Sequence, residues 1–285
     1  MRFRTEIERL KAPFAIEYTT PLLFLGSCFS DEIGSRLADD GFSVLHNPMG
    51  PLYNPASIAN CLDFACPGRS YTANELSEGP RGYHCLDYST RYSGDDASAV
   101  LDAVNRDIAA VSDFLAQSPV VFLTLGSAFV YRTPAGRIAG NCHKFPSDYF
   151  SRELLTVEQA AAELSRAVGL LTSHGIERIV FTVSPIRHLA DGLHGNNISK
   201  ATLLLAVNQV VNLYGSLCSY FPSYEIVLDD LRDYRFYAED LKHPSPMAVD
   251  YIYEIFSDCY FSSKTRQAAA EGRKATLAAR HRPIL

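Results

Sequence analysis

Two stretches far apart in the chain carry side chains able to do nucleophilic chemistry. Residues 21–34, PLLFLGSCFSDEIG, run from an apolar segment into Gly26-Ser27-Cys28 and then into charge. Downstream, DLKHPS places Asp240 three residues before His243. On a turn, an Asp-x-x-His pair lets the carboxylate orient the imidazole and stabilise its protonated form, while the other ring nitrogen faces a nucleophile. Cys28 and Ser27 are both candidates for that nucleophile. A free thiol has a pKa of about 8.5, which an adjacent imidazolium can lower to about 3.5–7.5. The expectation for Cys28 is therefore a thiolate–imidazolium pair formed before substrate arrives, whereas a serine hydroxyl would lose its proton during attack.

Weaker constellations lie elsewhere. Asn141-Cys142-His143-Lys144 packs donors, a thiol and an imidazole into four residues, suited to a substrate carboxylate or phosphate, or simply to a loop. Arg187 and His188 can hold an anion, with Asn197, Ser199 and Lys200 nearby; a structural ion pair is the competing reading of Arg187. No ligand spacing supports a metal, and the glycines at 136 and 140 lack the Lys-Ser/Thr of a phosphate loop, so no cofactor is expected.

These residues need elements to position them. Short apolar runs without alternation, as in strands buried on both faces, occur at Pro21–Leu25, Phe42–Leu45, Val120–Leu125, Arg178–Val183 and Tyr224–Leu228. Helical stretches separate them: Asp31–Asp40 with Ser30 as N-cap, Ala97–Leu115, Thr156–His174, Ser199–Tyr220 and Pro246–Phe261. Strand–helix alternation predicts a doubly wound α/β domain with right-handed crossovers. Small and polar residues collect just past the strands: Gly26-Ser27-Cys28, then Gly50 and Asn54, then Gly126-Ser127, then Arg187-His188. In an open parallel sheet that carboxyl edge is where sites form. Residues 57–94 lack a clear period and read as an irregular insertion within a single domain over 1–262; residues 263–285 read as a charged tail outside the core.

Composition narrows the function. A chain of 285 residues can bury about three quarters of its unfolded surface. A net charge of −6 with no basic face argues against nucleic acid, and no apolar run is long enough to span a membrane. Seven scattered cysteines without CxxC pairs suit a reducing, cytoplasmic setting. Leu25-Gly26-Ser27-Cys28 is similar to a lipoprotein attachment box, but only Leu22–Leu25 precedes it as an apolar stretch, behind acidic residues and Pro21, too short for a signal.

LFLGSCFSDEIG and DLKHPS resemble the first and last blocks of the SGNH/GDSL hydrolase superfamily. NPMGPLYNPASIAN, FLTLGSAFVYR, NCHKFP and SPIRHL…NNISKA further resemble the bacterial GSCFA-domain family, with Ser30 where the motif has Ala. The resemblance implies a three-layer, flavodoxin-like, SGNH-type fold with a central parallel sheet of about five strands. It puts Cys28 at the nucleophile position, Asp240 and His243 in the last block, and an oxyanion amide on Gly50. Gly126 matches the third block, but Ala128 stands where an oxyanion Asn is expected, leaving Asn54 or Asn141 as substitutes. The function so implied is hydrolysis or transfer of an ester or related acyl group on a small or saccharide-like substrate. The alternative is a binding protein that recognises an acylated or anionic ligand without turnover. Assembly of like chains stays open.

Overall fold

The computed structural model describes residues 5–8, 11–80 and 82–280. Its core elements in chain order are β1 (Leu22–Gly26), α1 (Phe29–Asp39), β2 (Val44–His46), α2 (Pro55–Ala65), α3 (Ala97–Leu115), β3 (Val120–Leu125), α4 (Val157–Ser173), β4 (Ile179–Val183), α5 (Gly192–Leu213), β5 (Cys218–Tyr220), α6 (Pro246–Tyr260) and α7 (Ser263–Arg280). The five strands pair in parallel in the order β2-β1-β3-β4-β5. The order reverses between β1 and β3, and this is the flavodoxin-like topology whose crevice opens beyond the carboxyl ends of those two strands.

Alternation along each strand divides the core into two. Leu23, Leu25, Val121, Leu123 and Phe181 pack with Leu62, Ile108, Leu164 and Val207 of α2 to α5. Leu22, Phe24, Val120, Phe122 and Val180 pack on the other face with Ile33, Leu37, Ile252 and Phe256 of α1 and α6. Helices on both faces of a buried parallel sheet give three layers, and strands buried on both sides explain apolar runs without a period of two.

Four expectations about local structure change. Tyr224–Leu228 is not a strand: residues 223–230 wind helically, with Ile226 and Val227 in the second core and Ser223 Oγ donating to the Val183 carbonyl at 2.8 Å. The fifth strand is the short Cys218–Tyr220, and α5 runs from Gly192 to Leu213. The stretch 57–94 opens inside α2, whose period is masked because it is buried nearly all round; Asn54 Oδ1 caps it by accepting from Ser57 N at 2.9 Å, with Pro55 in its first turn. A small antiparallel sheet of Ser77–Gly79, Gly82–His84 and Ser93–Gly94 follows. Ser30 does not cap α1; Cys28 occupies that position, and Ser30 Oγ donates to Thr124 Oγ1 at 2.8 Å.

The segment from 263, described to Arg280, is the helix α7, and it is part of the core. Ala269 is buried, Thr265 Oγ1 donates to the Ile16 carbonyl at 3.1 Å, and Arg273 pairs with Asp40. A Cβ on Gly272 would stand 2.1 Å from the Asp40 carbonyl oxygen, so this contact needs glycine. Residues 281–285 lie outside the described residues. Among the described residues no helix is long and apolar enough to cross a membrane.

Candidate active site

The end of β1 is built for close approach. Gly26 has φ +139°, and a Cβ there would sit 2.0 Å from the Thr124 carbonyl oxygen on β3, so only glycine fits. Ser27 N donates to that same oxygen at 2.9 Å, which turns the chain and sets Cys28 at the head of α1. Asn47, with φ +39°, fastens the loop after β2: its Oδ1 accepts from Gly26 N at 2.9 Å, and its Nδ2 donates to the Ser27 carbonyl at 3.1 Å and to Asp31 Oδ2 at 3.0 Å. Further along, the Tyr53 carbonyl accepts from Gly126 N at 2.7 Å and Ser127 N at 2.9 Å, tying that loop to the end of β3.

From the other end of the chain, residues 237–244 form a tight turn closed by Ala238 N donating to the His243 carbonyl at 2.8 Å. Asp240 Oδ1 accepts from Lys242 N at 2.9 Å and His243 N at 3.0 Å, an Asx-type turn, while Leu241 takes φ +58°. His243 Nδ1 donates to Asp240 Oδ2 at 2.5 Å, and His243 Nε2 lies 3.7 Å from Cys28 Sγ. Two bonds from His243 and one from Lys242 N hold the Asp240 carboxyl well below the usual carboxylate range.

The structure thus brings Cys28, His243 and Asp240 together and leaves Ser27 out. Ser27 is fully buried, and its Oγ accepts from Phe29 N at 3.3 Å. Cys28 is not a preformed thiolate. Burial, with Asp31 and Glu32 in the first turn of α1, pushes its thiol up to about 11, and the resting side chain at neutral pH is S–H. The sequence expectation considered the imidazole and not the two carboxylates three and four residues on.

A cleft of about 350 Å³ opens at this point, within the range of small-molecule sites. Asn54, Ser127, Asn141, Arg187 and His188 of the sequence candidates line it beside Cys28 and His243. Asn54 lines it with its Oδ1 held by the helix cap and its Nδ2 without a hydrogen-bond partner among the described residues. The Cys28 N–H, at the head of α1, donates to no carbonyl among the described residues.

Other candidates lie outside the cleft. The Gly50 N–H is spent on the Asn47 carbonyl at 2.8 Å, so this amide is not an available oxyanion donor. His143 is buried, with Nε2 on the Tyr88 carbonyl at 3.0 Å, and burial beside His84 lowers it to about 4. Gly126 lies beneath the cleft, its carbonyl accepting from Lys200 Nζ at 2.7 Å. At position 128, where Asn was expected, the Ala128 N–H donates to Ser199 Oγ at 2.7 Å.

Three further groups shape the site: Tyr53 and Arg152, which were not among the sequence candidates, and Lys200, which was expected only near the Arg187–His188 anion site. Tyr53 lines the cleft with its phenol pushed up to about 12 by burial and by Cys28, so it stays an O–H donor. Arg152 lines it too, paired with Asp191 and stacked over Phe129. Lys200, fully buried, bridges the carbonyls of Gly126 and Ser184, at 2.7 and 2.6 Å, and locks the ends of β3 and β4 together. Position just past a strand was a signal for Tyr53, next to Asn54; nothing in the sequence marks a lysine inside a helix as buried.

The GSCFA family model matches residues 21–256. No curated protein matches the chain. Among solved structures, a mutant of an acetyl-xylooligosaccharide esterase from Geobacillus Stearmophilus is similar at 16% identity, covering 87% of this chain and 98% of that one, with a TM-score of 0.40.

Proposed function

The chain belongs to the GSCFA family, and on its site we propose an SGNH-type hydrolase that cleaves an ester or related acyl bond through Cys28. The observation that carries this reading is the relay from Cys28 Sγ to His243 Nε2 at 3.7 Å and from His243 Nδ1 to Asp240 Oδ2 at 2.5 Å. His243 Nε2 takes the thiol proton as sulfur attacks the acyl carbon, and the carbonyl electron pair moves onto oxygen. The Cys28 N–H, Asn54 Nδ2 and the Tyr53 hydroxyl stabilise that oxyanion. Collapse expels the alcohol, which leaves with the proton from His243. Water, deprotonated by the same ring, then attacks the thioester and returns sulfur to the thiol. An acceptor alcohol in place of water gives acyl transfer by the same residues. Asp240 holds the tautomer and stabilises the imidazolium that forms. Seven cysteines without disulfides fit a cytoplasmic setting.

Turnover of para-nitrophenyl acetate tests the assignment. Cys28→Ala is expected to abolish it, Cys28→Ser to reduce it, and His243→Ala to lower kcat/KM by about a hundred- to ten-thousand-fold. Full turnover by His243→Ala removes the mechanism. A binding protein that holds an acyl ligand without cleaving it is the second reading, favoured by the raised Cys28 pKa and by Ala128 at the oxyanion Asn position; it predicts ligand binding with no product released by any variant.

A further inference from the structure

A second cleft, of about 270 Å³, adjoins the first and is bounded by Arg187, Asn196, Asn197, Tyr224, Tyr234 and Tyr237. Arg187 lines both clefts. Its guanidinium lies over the Tyr237 ring at 4.3 Å and the Tyr234 ring at 5.3 Å, and the Arg187 backbone N–H donates to the Lys242 carbonyl at 3.2 Å, next to His243. Stacking and hydrogen bonding with Tyr234 and Tyr237 fix the guanidinium in place, and no carboxylate among the described residues occupies its donors.

The electrostatics set Arg187 apart from the other arginine at the site. Arg152, the other arginine at the site, is paired with Asp191, but no carboxylate among the described residues lies within ion-pair distance of Arg187. No acidic residue lines either cleft among the described residues, although the chain carries a net charge of −6. Lys200 also lines the second cleft, but its Nζ is spent on two carbonyls and burial lowers its pKa to about 7, so Arg187 is the permanent cation there. A half-buried cation held rigid beside a nucleophile and left without a counter-charge is a site for an anion supplied from outside.

We propose that the substrate carries a carboxylate or phosphate group, that Arg187 binds it in this second cleft, and that the carbon chain of the substrate leads from there to Cys28. The word substrate rests on the hydrolase reading; the anion site does not. Tyr224, Tyr234 and Tyr237 wall the chain, and the guanidinium takes two oxygens of the anion in parallel.

Binding to the Cys28→Ala chain, measured by calorimetry, tests this without any turnover. Glutarate and methyl phosphate are the anionic probes, and dimethyl glutarate is the neutral control. The expected result is binding of at least one anion, about tenfold or more tighter than the neutral diester, loss of about tenfold in Arg187→Gln, and partial recovery in Arg187→Lys. Preference for glutarate assigns a carboxylate, and preference for methyl phosphate assigns a phosphate. Thermal melts establish that the variants are folded; if Arg187→Gln is not, Arg187→Lys against the diester control still decides. No binding of either anion, equal binding of the diester, or undiminished binding in folded Arg187→Gln overturns the proposal. Because the readout needs no chemistry, its failure leaves the hydrolase reading standing, and an inactive wild type leaves the anion site standing.

Discussion

At the scale of single residues the site turns on where one proton sits. With the Cys28 thiol pushed up to about 11, the thiolate fraction falls tenfold for each pH unit below that value. Alkylation of Cys28 by iodoacetamide is therefore expected to be slow at neutral pH and to climb steadily toward about 11. Asp31→Asn removes one of the charges that hold the proton on, so its profile shifts to lower pH. A plateau near neutrality in the wild type contradicts this and restores a preformed ion pair. Such a pair was the sequence expectation, and the structure explains the difference: the helix that presents the thiol carries Asp31 and Glu32 in the turn just beneath it. The pairing of Asp240 with His243 was legible because three residues on a turn suffice to bring the two together. The choice between Ser27 and Cys28 was not, because it depends on Gly26 at φ +139°, which decides which of the next two side chains turns inward.

At the scale of elements, the loop from β2 into α2 does two jobs with one side chain. Asn54 Oδ1 caps α2, and the same side chain lines the cleft with its Nδ2 unbonded among the described residues. The two jobs separate by substitution. Asn54→Asp keeps an oxygen for the cap, so its melting temperature should stay near wild type, yet it removes the donor and should cost about a hundred- to a thousand-fold in kcat. Asn54→Ala should lose the same activity and about 1 kcal/mol of stability as well. Wild-type kcat in Asn54→Asp removes the residue from the oxyanion site. The long elements were legible in the sequence: α3 and α4 carry strong amphipathic patterns, and α4 has its Thr156–Gln159 capping box. The misread elements share a cause. The three residues of β5 are too few for a pattern, the Ile226–Val227 pair serves a helical turn as readily as a strand, and α2 shows no period because nearly every side is buried. Which amide of the 47–54 loop faces the cleft depends on a turn in which Gly50 bonds Asn47, and composition does not encode that.

Across the whole molecule, the two core layers bring segments more than two hundred positions apart to one rim, and a buried neutral imidazole outside the cleft ties stability to pH. His143 is buried in its neutral form, with a pKa lowered to about 4 against an ordinary value of 6.5. The unfolded chain therefore takes up this proton first. Stability is complete above pH 6.5 and is lost as pH falls toward about 4, by ~3 kcal/mol from this group. Denaturant unfolding across that range should show a shallower acid loss in His143→Gln than in wild type, and equal slopes contradict the assignment. The central claim, that a thiol from the first strand–helix turn and an imidazole from the last loop act on one acyl group, is tested most directly by intact-mass and peptide mapping after brief exposure to para-nitrophenyl acetate. The account predicts one acetyl group on Cys28, absent in Cys28→Ala and strongly reduced in His243→Ala. An acetyl group on Ser27, or a Cys28 adduct that forms as fast without His243, contradicts it.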